Sequence, residues 1–292
     1  MMKYDGNFVE LHDVEFSYCA RRESVQESKA LDGLDLQIDK GEIVAIIGGN
    51  GSGKTTFARL LNALLLPTSG IVYIGGIDTK DKERLWDVRR IAGMVFQNPD
   101  NQIVGTTVAE DVAFGPENLG LEPELIEVRV RDALRDVAMT ELYDVAPHLL
   151  SGGQKQRVSL AAIIAMKPEC IILDEATALL DPVARKEVMN LVCRLNREEG
   201  VTVVYITHNM EEARCADRVL ILDAGKVVLD GTPRDVFSHV SLLRDLGLDV
   251  PQVTELFDTL RKDGFDLPAG IVDVEEAIEV LVKKNSRKIC CP

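Results

Sequence analysis

The stretch Gly48-Gly49-Asn50-Gly51-Ser52-Gly53-Lys54-Thr55-Thr56 constrains this chain more than any other. It fits the spacing G-x-x-x-x-G-K-[ST], and its flanks are those the spacing needs. Upstream, Glu42-Ile43-Val44-Ala45-Ile46-Ile47 is an apolar, β-branched run that predicts a buried parallel strand. Downstream, Phe57-Ala58-Arg59-Leu60-Leu61-Asn62-Ala63-Leu64-Leu65 repeats apolar residues at helical spacing. A strand thus feeds a glycine loop, and the loop opens a helix. Glycines let backbone N–H groups curl around phosphate oxygens without Cβ clashes. The helix N-terminus adds unpaired donors and the positive end of its dipole. Lys54 is placed to reach β- and γ-phosphates, and the Thr55 hydroxyl to ligate Mg²⁺. The stretch predicts a nucleoside triphosphate site built from Gly48, Asn50, Gly51, Ser52, Gly53, Lys54, Thr55 and Thr56.

A chain of 292 residues has room for one large domain with an appendage, or two modest domains. Its net charge of −15 argues against generic nucleic-acid binding, which needs a basic face. The first residues carry no apolar core of a secretory signal. The most apolar helix candidate, Val158 to Met166, is far short of the roughly 20 residues that span a membrane, so any membrane role is expected through a partner. The six cysteines show no C-x-x-C pairing, which predicts free thiols in a reducing cytosol. Cys290-Cys291-Pro292 is neither a C-a-a-X box nor beside a histidine cluster, and reads as a frayed tail.

Along the chain, Phe8 to Tyr18 alternates apolar and polar residues as a half-buried antiparallel strand does. A polar loop over Arg21–Lys29 precedes a second alternating stretch, Leu34 to Ile38. Beyond the phosphate loop, Ile71–Gly76 predicts a strand and turn, Asp81–Arg90 a helix and Ile91–Phe96 a buried strand. From Gln97 to about Met166 helical signals dominate, with amphipathic stretches over Thr107–Leu119 and Glu122–Val137 and a third helix after Ser151. The β/α alternation then resumes: strand Cys170–Asp174, helix Pro182–Glu199, strand Val201–Thr207, helix Met210–Cys215 and strands Val219–Leu222 and Lys226–Leu229. Gly231-Thr232-Pro233 marks a boundary, and Asp235–Leu246, Gln252–Lys262 and Val274–Val282 read as helices beyond it.

Cys170-Ile171-Ile172-Leu173-Asp174-Glu175 supplies the second element of a P-loop NTPase. A buried strand delivers Asp174 toward the metal, and Glu175 stands one residue on, where a carboxylate can polarise an attacking water. The most specific string is Leu150-Ser151-Gly152-Gly153-Gln154-Lys155-Gln156-Arg157, a small-residue helix start suited to a phosphate. It resembles the signature sequence of ABC-type ATPases, whose nucleotide-binding domain the chain resembles from about Phe8 to Gly231. The resemblance implies an α/β fold: a P-loop core of ABC type, an antiparallel β subdomain, a helical signature subdomain over about 97–166 and a small helical C-terminal extension. The domains are expected at 7–232 for the cassette and 233–292 for the extension, a candidate dimerisation region.

The resemblance also implies a head-to-tail dimer in which Ser151, Gly152, Gly153 and Gln154 of one subunit face the γ-phosphate of ATP held by the other. Position by position, Tyr18 resembles the aromatic that stacks on adenine, and Gln97 the glutamine that touches Mg²⁺ and the attacking water. Asp181 resembles the acid that crosses the dimer interface and is also an N-cap candidate for the helix at Pro182. His208 resembles the switch histidine at the γ-phosphate. ATP and Mg²⁺ are the implied ligands, the metal set is Thr55, Gln97 and Asp174, and the catalytic set is Glu175, His208 and Gln97. Three departures from the family pattern are Asn209 where Asp is common, Thr55-Thr56 where Ser-Thr is common, and Gly49 where many relatives carry a side chain.

Phe96 to Val104, Val108 to Asn118, Leu246 to Pro251 and Val274 to Ala277 resemble energy-coupling factor (ECF) transporter ATPases and their cobalt- and nickel-uptake relatives. That resemblance implies an ATP-hydrolysing subunit on the cytoplasmic face of the membrane, powering uptake of vitamins or transition-metal ions. Its partners would be a second ATPase subunit, identical or similar, a transmembrane coupling protein and a substrate-binding membrane subunit. The alternatives are the ATPase of a conventional binding-protein-dependent importer and a non-transport ABC ATPase. Asp100, Glu110, Asp111 and Glu117 are candidate carboxylates for basic residues of the membrane partner.

Overall fold

The computed structural model describes residues 7–18 and 29–289. In chain order the elements are β1 (Asn7–Ser17), β2 (Lys29–Asp39), β3 (Ile43–Ile47), α1 (Lys54–Leu61), β4 (Ser69–Ile74), β5 (Ile77–Asp78), α2 (Leu85–Ile91) and β6 (Ala92–Val95). A largely helical stretch follows, with α3 (Val108–Asn118), α4 (Pro123–Asp136) and α5 (Gly152–Met166). The alternation returns with β7 (Cys170–Asp174), α6 (Pro182–Glu199), β8 (Thr202–Ile206), α7 (Met210–Ala213), β9 (Arg218–Asp223) and β10 (Lys226–Gly231). Four helices close the described chain: α8 (Pro233–Phe237), α9 (Val240–Asp245), α10 (Gln252–Lys262) and α11 (Val274–Ile289).

Two sheets organise these elements. One is antiparallel, in the order β2-β1-β4-β5; the other runs β10-β9-β3-β8-β7-β6. In the second sheet β9, β3, β8, β7 and β6 are parallel, and β10 closes one edge antiparallel. Parallel strands are covered on both faces, and β3 shows why its sequence is continuously apolar. Ile43, Ala45 and Ile47 face a core shared with α3 to α6, while Val44 and Ile46 face Phe57 and Leu60 of α1 and the antiparallel sheet. A third, small cluster of Val253, Phe257, Leu267, Ile271 and Ala277 serves α10 and α11 alone. The Arg214–Asp273 ion pair at 2.9 Å ties this C-terminal part to the end of α7.

The expected elements are present, with informative shifts. The helix expected over Asp81–Arg90 begins only at Leu85. The stretch expected as one helix over Asp235–Leu246 is two, α8 and α9, broken at Ser238-His239. The polar loop at Arg21–Lys29 lies outside the described residues except Lys29, which opens β2. Cys290-Cys291-Pro292 and Cys19 also lie outside them; Cys170, Cys193 and Cys215 are free thiols. Among the described residues no helix is long and apolar enough to cross a membrane.

Asp111 corrects one expectation. It is 4% exposed, and its Oδ1 accepts from the backbone N–H of Val104 at 2.7 Å and of Gly105 at 2.9 Å. It fastens the loop before α3 and is not available to a partner. Asp100 is held by Lys155 at 2.7 Å, and Glu110 accepts from the backbone N–H of Thr106 at 3.1 Å. Replacing Asp111 by Ala strands two backbone donors, a loss of about 1–3 kcal/mol. Thermal unfolding of Asp111→Ala is expected several degrees below wild type, whereas Glu117→Ala, on the exposed face of α3, leaves the midpoint in place.

Candidate functional site

The site is assembled where adjacent parallel strands end. β3 and β8 pair with Ile46 opposite Ile206, and β8 and β7 pair with Ile206 opposite Asp174. The loops that leave these three strand ends carry the phosphate loop, Glu175 and His208. Ligands of open α/β sheets bind at this carboxyl edge.

The phosphate loop is shaped by backbone packing. At Gly48 an added Cβ would stand 2.2 Å from the Leu222 carbonyl oxygen. Gly53, the residue before α1, has φ +106°, and a Cβ there would meet the Ala30 carbonyl oxygen at 2.4 Å. Gly49 is different, with nothing within 4 Å of a Cβ, so the family's frequent side chain there meets open space. Lys54 is buried and its Nζ donates to the carbonyls of Gly48 at 2.7 Å and Gly49 at 2.8 Å. Burial pulls its pKa below the usual lysine range, and the charges of Glu175 and Asp174 pull it back up. Tyr18 is half-exposed beside the loop, with its hydroxyl 3.1 Å from Thr56 Oγ1 and its ring edge-on to Phe16.

Across from the loop, Thr55 Oγ1 donates to Asp174 Oδ1 at 3.2 Å. Asp174 is 4% exposed; burial pushes its pKa up, and the Thr55 hydrogen bond offsets part of that rise. A hydroxyl and a buried carboxylate are the hard oxygen donors that suit Mg²⁺, which takes one or two protein ligands and keeps the rest of its shell from water and phosphate. The donor set fits that ion.

Glu175 leaves the strand with a left-handed backbone, φ +51°, held by its N–H donating to the Ile206 carbonyl at 3.1 Å. A non-glycine residue in that region is strained and marks a site worth examining. Both carboxylate oxygens are engaged. Gln97 Nε2 donates to Oε2 at 2.6 Å, and His208 Nε2 lies 2.6 Å from Oε1. The structure therefore brings Gln97, Glu175 and His208, the three residues of the expected catalytic set, into contact.

The signature residues stand elsewhere on the chain. Ser151 and Gln154 form a reciprocal capping box at the start of α5. With Gly152 and Gly153 they line a cavity shared with Leu179, Leu180 and Asp181, and no phosphate-loop residue lines it. Asp181 Oδ1 accepts from the N–H groups of Val183 and Ala184, both at 2.9 Å, so its N-cap role is real. Asn209 caps α7 by accepting from Glu211 N–H at 3.0 Å, a role its amide oxygen fills as a carboxylate would.

Sequence reasoning missed several supports. Gln156, 3% exposed on α5, donates to the Phe96 carbonyl at 3.0 Å, and Gln102 accepts from Phe96 N–H at 3.2 Å. These bonds hold the residue before Gln97 against the signature helix. Lys155–Asp100 spans the same junction. No local sequence pattern marks them, because Gln156 and Gln102 bond to residues on other elements.

The fold and this site define an ATP-binding cassette: a phosphate loop, an acid pair after β7, a histidine after β8 and a detached signature helix. A family profile described as ABC transporter matches residues 31–178. The chain is 57% identical, over 91% of its length and 96% of the relative's, to the energy-coupling factor transporter ATP-binding protein EcfA1 of Caldanaerobacter subterraneus. It is 56% identical to EcfA1 of Clostridioides difficile, over 93% of its length and 97% of the relative's. Among solved structures, CbiO1 of Clostridium perfringens, part of the CbiONQ ABC transporter complex, superposes with TM-score 0.72 at 33% identity, covering 87% of this chain and all of that one. A dimeric post-hydrolysis state of the cassette MJ0796 bound to ADP and Pi gives TM-score 0.71 at 34% identity, covering 77% and 98%. The chain belongs to the ABC transporter family, in its energy-coupling factor ATP-binding branch.

Gly53→Ala is expected to abolish ATP binding through both the clash and the strained φ, while Gly49→Ala keeps the loop's conformation. Equilibrium titration with a fluorescent ATP analogue distinguishes them, and equal loss in both variants would contradict this reading of the loop.

Proposed function

We propose that the chain is the ATP-hydrolysing subunit of an ECF-type importer, working at the cytoplasmic face of the membrane beneath a transmembrane coupling protein and a substrate-binding membrane subunit. The transported solutes are vitamins or transition-metal ions. The observation that carries the reading is the arrangement of Gln97, Glu175 and His208 around one carboxylate, directly beside the Lys54 loop. High identity to EcfA1 proteins over nearly the whole chain favours this importer class over a conventional one.

In this reading residues 7–232 are the cassette, and 233–292 are an extension that contributes to dimerisation. ATP enters with its phosphates in the glycine loop. Lys54 exchanges the carbonyls of Gly48 and Gly49 for phosphate oxygens, a trade of neutral acceptors for charged ones that strengthens both bonds. Tyr18 offers its ring face to the adenine. Mg²⁺, when bound, neutralises phosphate charge and is held by Thr55 and Asp174, with Gln97 reaching it. His208 turns toward the γ-phosphate and releases one oxygen of Glu175, which then accepts a proton from the attacking water while Gln97 orients it.

The γ-phosphate side is completed by Ser151, Gly152, Gly153 and Gln154 of the facing subunit, with Asp181 crossing the interface. Exposed Leu179 in that signature cavity, with exposed Leu149 and Val183 two residues along the chain from Ser151 and Asp181, suits a face that closes against a second subunit. Closure is the mechanical product passed to the membrane partner.

Lys54→Ala is expected to lower ATP turnover at least about a hundredfold, because phosphate charge loses its compensation. Glu175→Gln is expected to lower it about as far while ATP affinity stays near wild type, because only water activation is lost. Wild-type turnover in Glu175→Gln would overturn the assignment of the base. For the transport role, a tagged chain extracted from membranes in mild detergent should bring along multi-spanning membrane proteins. Recovery of ribosomes, or of no membrane protein, would contradict it.

A further inference from the structure

Behind the histidine turn lies a carboxylate that none of the site roles above includes. Glu212, on α7, is 7% exposed. Its Oε2 accepts from Thr207 Oγ1 at 2.5 Å, and its Oε1 accepts from Thr177 Oγ1 at 2.9 Å. Arg185 of α6 places its Nε 3.6 Å from Oε1, and the buried Tyr205 hydroxyl donates to the Glu212 backbone carbonyl at 2.8 Å. A buried carboxylate is tolerated only when its acceptor sites are filled and its charge is paired, and this one meets both conditions.

What distinguishes the group is what its partners carry. Thr207 immediately precedes His208, and its hydroxyl also accepts from Asn209 N–H at 2.9 Å, so it grips the turn from both sides of the histidine. Thr177 lies two residues after Glu175, and its carbonyl accepts from Leu180 N–H at 3.1 Å, immediately before Asp181. Arg185 donates to the Leu180 carbonyl at 3.3 Å. One side chain is therefore bonded to the turn that carries His208 and to the turn that runs from Glu175 to Asp181. Glu175, Thr177, Arg185, Thr207, His208 and Glu212 also line a single cavity.

We propose that Glu212 is the positioning residue that holds these two turns in a fixed relation, so that movement of His208 toward the γ-phosphate is transmitted to Asp181 at the subunit interface. The inference rests on the ATPase reading above. Glu212 acts through Thr207, Thr177 and Arg185, the side chains its carboxylate meets. Its carboxylate can accept from two hydroxyls at once and pair with a guanidinium, which neither an amide nor an alkyl group can do. Misplacement of catalytic groups by a fraction of an ångström to one ångström is enough to slow chemistry without abolishing binding.

The test uses the full chain and follows ATP affinity, turnover and thermal midpoint together. Glu212→Gln is expected to keep ATP affinity within about twofold while kcat falls at least about tenfold. Thr177→Val, which removes one of the two hydroxyls and leaves the carboxylate in place, should lower kcat in the same sense, and Thr177→Ser should restore it. Because both act through one network, Glu212→Gln with Thr177→Val should be no slower than the slower single variant. Wild-type kcat in Glu212→Gln, failure of Thr177→Ser to restore turnover, additive losses in the double variant, or affinity and kcat falling together with the folded fraction would each overturn the proposal. If wild type turns over ATP and Glu175→Gln does not, while Glu212→Gln is as fast as wild type, the inference about Glu212 fails and the ATPase reading stands. If wild type itself shows no turnover, both fall.

Discussion

The parallel pairing of β3, β8 and β7 is the constraint on which the rest depends. Ile46 opposite Ile206, and Ile206 opposite Asp174, bring three strand ends level. Any one-residue slip would turn each strand's side chains to the opposite face. The slip would move Val44 and Ile46 out of the core they share with α1, and would carry Asp174 away from Thr55. Both faces of β3 pack against apolar cores, so such a slip trades fitted contacts for mismatched ones on each face, and a misfitted core side chain costs about 1–3 kcal/mol. Apolar packing therefore aligns polar chemistry that could not align itself.

The polar groups at that edge are held in a compact set of mutual contacts. Lys54 rests on loop carbonyls, and Glu175 is shared by Gln97 and His208. Each contact offers a partner that a phosphate or a water can replace. The strained φ of Glu175 and the buried, upward-shifted carboxyl of Asp174 are both unfavourable in isolation, and both become useful beside a charged ligand. The signature helix has its own cavity with Asp181, lined by none of the phosphate-loop residues. That separation within one chain suits the proposed arrangement, in which a second subunit completes the site.

Much of this was legible in the residues. The phosphate loop, β7 with its terminal acids, α6 and α10 fall where apolar period and turn residues place them, because local pattern and burial agree there. The break between α8 and α9 was not legible, since Asp235 to Leu246 keeps helical spacing across Ser238-His239. Asp111 was misread as a surface acid because a carboxylate in the first turn of a helix carries no mark of burial; only the loop folding back to Val104 and Gly105 reveals it. Glu212, Gln156 and Gln102 escaped for a related reason. Their partners lie on other elements, at sequence separations that no local pattern encodes.

The central claim is that each chain carries two incomplete halves, a phosphate loop and a signature helix that serve different nucleotides. Its most direct test is ATP affinity and ATP turnover measured side by side in a Gly152→Asp variant. Unchanged ATP affinity for the isolated chain is expected together with turnover lowered at least about a hundredfold, because the facing subunit can no longer approach the γ-phosphate. Turnover at the wild-type level, or affinity lost in step with turnover, would contradict it.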